Sequence, residues 1–252
     1  MDKYGLVGFP LGHSFSQKFF SEKFEQDKTD AQYINFEIPS IEDFAKVINN
    51  NPELKGLNVT IPYKQAVMTY LNEVSTEAKA IGAVNVVKVM RASDGTPFLK
   101  GYNSDVIGFV DSIRPLLKPH HKKALILGTG GASKAIYYGL TEKLGLDTLF
   151  VSRKSKPGII TYEEITAETL KEYEVIVNCS PVGMFPHVDE CPALPYEAMN
   201  EKNLLYDLVY NPNETLFMKK GAEQGAVVKN GLEMLIAQAI ASWNFWHEDE
   251  PQ

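Results

Sequence analysis

A chain of 252 residues has room for two domains of roughly 100–200 residues each, or one large α/β domain, and 44% hydrophobic residues supply a core for either. The formal charge of −7, with Lys and Arg scattered and no cluster longer than Arg153, Lys154 and Lys156, excludes the basic surface that draws in nucleic acid. No run of about 18 apolar residues exists to span a membrane, and the opening MDKYGLVGFP has no apolar segment of signal-peptide length.

The first half alternates short β-rich runs with helical ones. Residues 4–7 read as a strand, followed by a loop and a helix from near Ser16 whose Phe19, Phe20 and Phe24 share a face. Residues 33–36 form a second strand, and Ser40 with Asp43 resembles the cap of a helix running to about Asn49. A third strand over 57–61 ends at Pro62, helical stretches reach Tyr70 and cover 77–81, and 84–90 and 98–102 pair through the turn Ser93-Asp94-Gly95. Ser104 is placed to cap a bridging helix with Val106, Phe109, Val110, Ile113, Leu116 and Leu117 inward, frayed by Pro115 and Pro119.

Alternation then restarts. Strands are expected at 124–127, 149–151, 175–178, 204–209 and 226–228, a helix at 132–144, and a last apolar helix at 232–246. Strands alternating with helices imply right-handed βαβ units and a parallel sheet. The two cysteines, Cys179 and Cys191, are too few for a disulfide framework and fit a reducing cytoplasm. The five histidines (His13, His120, His121, His187 and His247) lack zinc-site spacing, so no metal is expected.

The run Ala124-Leu-Ile-Leu-Gly-Thr-Gly-Gly-Ala-Ser133 is a strand, a glycine turn and a helix start. Gly128 suits the tight turn, Gly130 lets backbone N–H groups approach a pyrophosphate, and the helix N-terminus adds partial positive charge. Ser133 stands where the dinucleotide fingerprint has Gly or Ala. After the next strand an NAD enzyme places an acid for the ribose 2′-OH, whereas this chain has Ser152, Arg153 and Lys154. A guanidinium pairs with a 2′-phosphate that a carboxylate would repel, so NADP is the expected cofactor.

In the first half, polar residues stand where packing alone would not put them. Ser14 and Ser16 flank Phe15, Asn58 and Thr60 alternate along the third strand, Lys64 follows Pro62, Asn85 interrupts an apolar run, and Asp105 opens the bridging helix. Each has a plain structural account: caps for Ser16 and Asp105, a satisfied core amide for Asn85, an apolar stem laid along the surface for Lys64. Together, hydroxyls and amides at the carboxyl ends of strands suit a hydroxyl-rich small molecule.

The strings Gly12-His-Ser-Phe-Ser16, Asn58-Val-Thr-Ile-Pro-Tyr-Lys64, Gly82-Ala-Val-Asn85, Gly101-Tyr-Asn-Ser-Asp105, Gly128-Thr-Gly-Gly-Ala-Ser133, Asn178-Cys-Ser-Pro-Val-Gly-Met184, Asp207-Leu-Val-Tyr-Asn-Pro212 and Gly231-Leu-Glu-Met-Leu-Ile-Ala-Gln238 follow in order along nearly the whole chain. Together they resemble the shikimate dehydrogenase family. The resemblance implies a two-domain α/β enzyme: an N-terminal substrate domain of residues 1–104 with 231–252, and a Rossmann-like NADP-binding domain of residues 105–230. The last helix would return to the first domain. The implied activity is reversible NADPH-dependent reduction of 3-dehydroshikimate to shikimate, in the cytoplasm, by a monomer or homodimer, as a step toward chorismate and the aromatic amino acids.

Carried over residue by residue, the resemblance makes Lys64 and Asp105 the catalytic pair. Ser14, Ser16, Asn58, Thr60, Asn85, Tyr210 and Gln238 would hold substrate. Gly128, Thr129, Gly130, Gly131, Ala132, Ser152, Arg153, Lys154, Leu208 and Gly231 would hold the cofactor. Three departures bear on cofactor grip: Gln17 replaces a proline, Ser152-Arg-Lys154 replaces Asn-Arg-Thr, and the stretch with Pro157-Gly158 is too short for a full helix. Two alternatives are a quinate/shikimate dehydrogenase of broader specificity and a non-catalytic nucleotide-binding regulator. An acid at the cofactor turn would favour the first and loss of Lys64 or Asp105 the second; the chain shows neither.

Overall fold

The computed structural model describes residues 1–12 and 14–248; His13 of the first motif and residues 249–252 of the expected first domain lie outside the described residues. The chain divides into two compact units, Met1–Ser104 with the chain from Ala239 on, and Asp105–Gln238.

The first unit is built on β1 (Asp2–Gly8), α1 (Phe15–Gln26), β2 (Ala31–Glu37), α2 (Phe44–Asn49), β3 (Leu54–Val59), a two-residue β4 (Glu73–Val74), α3 (Thr76–Ile81), β5 (Val86–Arg91) and β6 (Pro97–Tyr102). Its sheet runs β2-β1-β3-β5-β6-β4, with β1, β2 and β3 parallel and β5 antiparallel to both β3 and β6. Chain order reverses between β1 and β3, so the loops that follow these strands flank a switch point, where open α/β sheets bind ligands.

Several boundaries differ from the sequence expectation. The cap of α1 is Ser14, whose Oγ accepts from Gln17 N at 3.2 Å, rather than Ser16. Ser40 makes no cap bond, and a 3₁₀ turn over Ile41–Asp43 precedes the short α2. The third strand ends at Val59, leaving Thr60 outside it, though Thr60 N still bonds Val7 O at 2.9 Å. Phe20 and Phe24 of α1 are buried as expected of one helical face. They pack with Tyr4, Tyr33 and Trp246, and Gly56 makes room: a Cβ there would lie 2.4 Å from the Trp246 ring.

The second unit holds α4 (Asp105–Ile113), β7 (Lys123–Leu127), α5 (Gly131–Tyr138), β8 (Asp147–Ser152), β9 (Ile159–Thr161), α6 (Ala167–Glu172), β10 (Val175–Asn178), β11 (Leu204–Asp207), α7 (Leu216–Glu223), β12 (Val227–Lys229) and α8 (Leu232–His247), whose last turns belong to the first unit. Its sheet is entirely parallel in the order β12-β11-β10-β7-β8-β9. The inner strands β10 and β11 are buried throughout and mostly apolar, which is what a sheet covered on both faces requires. The order reverses between β7 and β10, the second switch point.

Here too the ends shift. The bridging helix stops at Ile113 and continues as a 3₁₀ turn, so Leu116 and Leu117 are only partly buried. The helix expected over 132–144 is α5 followed by a π turn over Gly139–Lys143. No helix joins β8 to β9: residues 153–158 turn directly, with Lys156 bridged to Ile159. β4, β9, α6 and α7 were not expected.

Candidate functional site

In the first unit the predicted polar residues collect on one sheet edge. The carboxyl ends of β1, β3 and β6 and the amino end of β5 share it, since β5 runs antiparallel to its neighbours. There a chain of hydrogen bonds links three candidates. The Tyr33 hydroxyl, also bonded to Ser16, donates to Asn58 Oδ1 at 2.8 Å. Asn58 Nδ2 donates to Ser242 Oγ at 2.9 Å and to Asn85 O at 3.4 Å. Ser242 and Ser104 hydroxyls meet at 3.1 Å, Asn85 Nδ2 donates to Ser104 Oγ at 3.0 Å, and Ser104 N donates to Asn85 Oδ1 at 2.7 Å. Both amide hydrogens of Asn58 are thus committed within the unit, which leaves its carbonyl oxygen as its only route to a ligand.

Thr60 and Lys64 sit on the turn after β3. Thr60 O accepts from Tyr63 N at 2.9 Å and Lys64 O accepts from Val84 N at 2.7 Å, so this turn is fastened at both ends. Gly8, at the end of β1, presses on it: a Cβ there would meet Thr60 Cγ2 at 2.5 Å. Ser14, Ser16, Thr60 and Lys64 are half-buried and Asn85 is buried. Asp105, 3% exposed, opens α4 in the second unit, as Tyr210 and Gln238 also belong to that unit.

In the second unit a cavity of about 470 Å³ opens at the switch point, lined from the carboxyl ends of β7, β8, β9 and β10. Gly128, Thr129, Gly130, Ser152 and Arg153 form one part of its wall, as the sequence predicted. Gly128 has φ +105, a left-handed backbone that a side chain would strain. A Cβ at Gly130 or Gly131 would meet nothing within 4 Å, so the backbone at the start of α5 is open to close approach by a phosphate. Ser133, the odd residue of the fingerprint, folds its hydroxyl back onto Gly130 O at 2.7 Å and buries it satisfied. These features fit a dinucleotide with a 2′-phosphate beside the exposed Arg153.

Gly131, Ala132, Lys154, Leu208 and Gly231 do not line this cavity. Gly231 has a packing reason for being glycine: a Cβ would lie 2.2 Å from Leu208 O. The other part of the wall was not predicted: Tyr162, Cys179, Ser180, Pro181, Val182, Cys191, Pro192 and Ala193. The string 178–184 was a visible signal for four of these; Tyr162 and residues 191–193 carry none. Burial pushes the Cys179 thiol up, away from the reactive thiolate.

Behind the cavity, Asp207 at the end of β11 is wholly buried, and burial pushes its carboxyl up to about 6 despite hydrogen bonds from Thr215, Val209 and Asn178 that act the other way. Among the described residues, no group of three or more His, Cys, Asp or Glu could hold a metal ion, and no helix is long and apolar enough to cross a membrane.

The chain is similar to known proteins over nearly its whole length. Residues 6–87 match the family model of the shikimate dehydrogenase substrate binding domain. The shikimate dehydrogenase (NADP(+)) of Caldanaerobacter subterraneus subsp. tengcongensis is 36% identical over 96% of this chain and 90% of its own. That of Clostridium beijerinckii is 38% identical over 98% and 93%. The crystal structure of shikimate 5-dehydrogenase from Thermus thermophilus, solved with NADP(H) and shikimate, superposes with a TM-score of 0.84 at 28% identity, covering 100% of this chain and 95% of that one. With kinship of this extent spanning both units, the chain belongs to the shikimate dehydrogenase family.

Proposed function

We propose that this protein catalyses the reversible NADPH-dependent reduction of 3-dehydroshikimate to shikimate, in the cytoplasm, as a step toward the aromatic amino acids. The observation that carries the reading is the cavity of the parallel sheet, which sets a side-chain-free glycine turn and Arg153 together at a switch point. Both cysteines are free thiols, in keeping with a reducing compartment.

The reaction adds a hydride to the substrate's carbonyl carbon and a proton to its oxygen. Bound NADPH supplies the hydride. We assign to Lys64 the proton destined for the oxygen and the stabilisation of the negative charge that grows there, and to Asp105 a hydrogen bond to the reacting hydroxyl. Ser14, Ser16, Thr60, Asn85, Tyr210 and Gln238 read the hydroxyls and carboxylate, with Asn58 contributing through its carbonyl oxygen. A site built to bond hydroxyls rejects analogues that lack them, because its buried partners are left unpaired. Gly128–Ala132 would seat the pyrophosphate, Ser152, Arg153 and Lys154 would hold the 2′-phosphate, and Leu208 and Gly231 would complete the cofactor site.

The test is to follow reduced-nicotinamide absorbance with shikimate or quinate, each with NADP or NAD. Shikimate with NADP should give the highest kcat/KM. Equal use of quinate would make this the broader quinate/shikimate enzyme, and no turnover of either would overturn the reading.

A further inference from the structure

Two strings resemble the family yet carry few assigned contacts: Asn178-Cys-Ser-Pro-Val-Gly-Met184 and Asp207-Leu-Val-Tyr-Asn-Pro212. They meet at one buried carboxyl. Asp207 Oδ1 accepts from Asn178 Nδ2 at 2.9 Å and from Val209 N at 3.0 Å, and its Oδ2 accepts from Thr215 Oγ1 at 2.6 Å. It does not line the cavity.

Each donor leads to a different piece of the site. Asn178 Oδ1 accepts from Ser180 N at 3.1 Å and Ser180 Oγ at 2.6 Å, which shapes the turn forming the cavity floor. That floor abuts the glycine turn, since a Cβ on Gly128 would lie 3.4 Å from both Cys179 C and Ser180 N. Val209 leads directly to Tyr210, and Val209 O accepts from Gly231 N at 3.1 Å. Thr215 caps α7 through Met218 N.

We infer that Asp207 is a positioning residue that clamps the floor of the cofactor cavity and the Tyr210 turn to one another, so that cofactor grip and substrate grip depend on a single carboxyl. An acid buried among neutral donors is costly to keep, and a merely structural bracket would be met as well by an apolar contact. Three convergent donors, two of them on backbone or amide groups flanking ligand-facing turns, give it this purpose.

The inference rests on the proposed activity, and one design separates the two. Wild-type turnover of shikimate with NADP tests the activity, whereas calorimetric titration with NADP+ alone and separate KM values for the two substrates test Asp207. Asp207→Ala should raise KM for NADP and for shikimate at least about tenfold each, with a smaller fall in kcat. Asp207→Asn keeps the acceptor facing Asn178 and Val209 and presents an N–H to the Thr215 hydroxyl, so both KM values should return to within a few-fold of wild type. Should Asp207→Ala not fold, Asn178→Ala decides, because it cuts only the floor arm: KM for NADP should rise about tenfold while KM for shikimate stays. Folded Asp207→Ala or Asn178→Ala enzyme with wild-type NADP+ affinity and KM values, altered only in melting temperature, would overturn the inference.

Discussion

The two units place their ligand-facing residues at the same kind of edge and equip it oppositely. In the first, side chains crowd the carboxyl ends of β1, β3 and β6 and spend much of their bonding capacity on one another, from Tyr33 through Asn58, Ser242 and Ser104 to Asn85. In the second, the edge after β7 is stripped of side chains at Gly128 and Gly130, and the backbone faces the cavity. On the proposed function, the contrast follows from what each would read. Scattered hydroxyls on a ring need fixed side-chain donors and acceptors, whereas a pyrophosphate needs N–H groups and close approach.

Four experiments press on that contrast. The largest effect is expected where the first unit's side chains meet chemistry. Lys64→Met should lower kcat by about 10²–10⁴, the range of general acid–base groups, with a much smaller change in KM for shikimate. Asp105→Asn should also be severe, and the double variant should lose less than the product of the singles. Near wild-type kcat in folded Lys64→Met enzyme would remove the lysine from the mechanism.

Next comes a pH effect confined to the second unit. A carboxyl raised from 3.8 to about 6 contributes stability that is fully present below about pH 4 and is lost as pH rises through 6. Asp207→Asn does not titrate. Its stability relative to wild type, read by urea melts, should therefore improve between pH 4 and pH 7 by about 3 kcal/mol, roughly two pKa units. A difference that stays flat with pH would show that folding does not raise the Asp207 carboxyl above its ordinary value.

The third test concerns the one long side chain in the glycine-rich wall. Arg153→Ala should raise KM for NADP roughly tenfold to a hundredfold and leave NAD nearly unaffected, since a charge-assisted bond is worth about 1.5–3 kcal/mol. Comparable kcat/KM for NAD and NADP in wild-type enzyme would contradict it. The smallest effect tests the first unit's network as scaffold. Ser242→Ala removes a partner from both Asn58 and Ser104 and should cost about 1–2 kcal/mol in thermal or chemical denaturation, with little change in NADP affinity. No measurable loss would mean that water replaces the hydroxyl without cost.

Local pattern was enough to read a good part of the molecule. Apolar runs such as residues 175–177 report buried parallel strands because a strand covered on both faces has few polar positions to alternate. The glycine turn is legible because a left-handed φ and an unobstructed backbone at the start of α5 restrict which residues fit. The residue after β8, Arg153, carries the charge on which the proposed choice of NADP rests. In each case the physical constraint acts within a few residues of chain, so the sequence by itself determined it.

Tertiary structure decided the rest. Asn58 is bonded to Ser242, 184 residues away, so its commitment to the scaffold has no local sign. Ser14 rather than Ser16 caps α1, since the hydroxyl of Ser16 is turned to Tyr33 on β2. Tyr162, Cys191 and Pro192 reach the cavity only because β8 and β9 pair across a direct turn and residues 191–193 come back past the floor after β10. Asp207 reads in sequence only as a polar residue inside the strand expected over 204–209 and as the start of the string 207–212. Its meaning appears when Asn178, Val209 and Thr215 converge on it, because a buried carboxyl is defined by the donors that the fold brings to it.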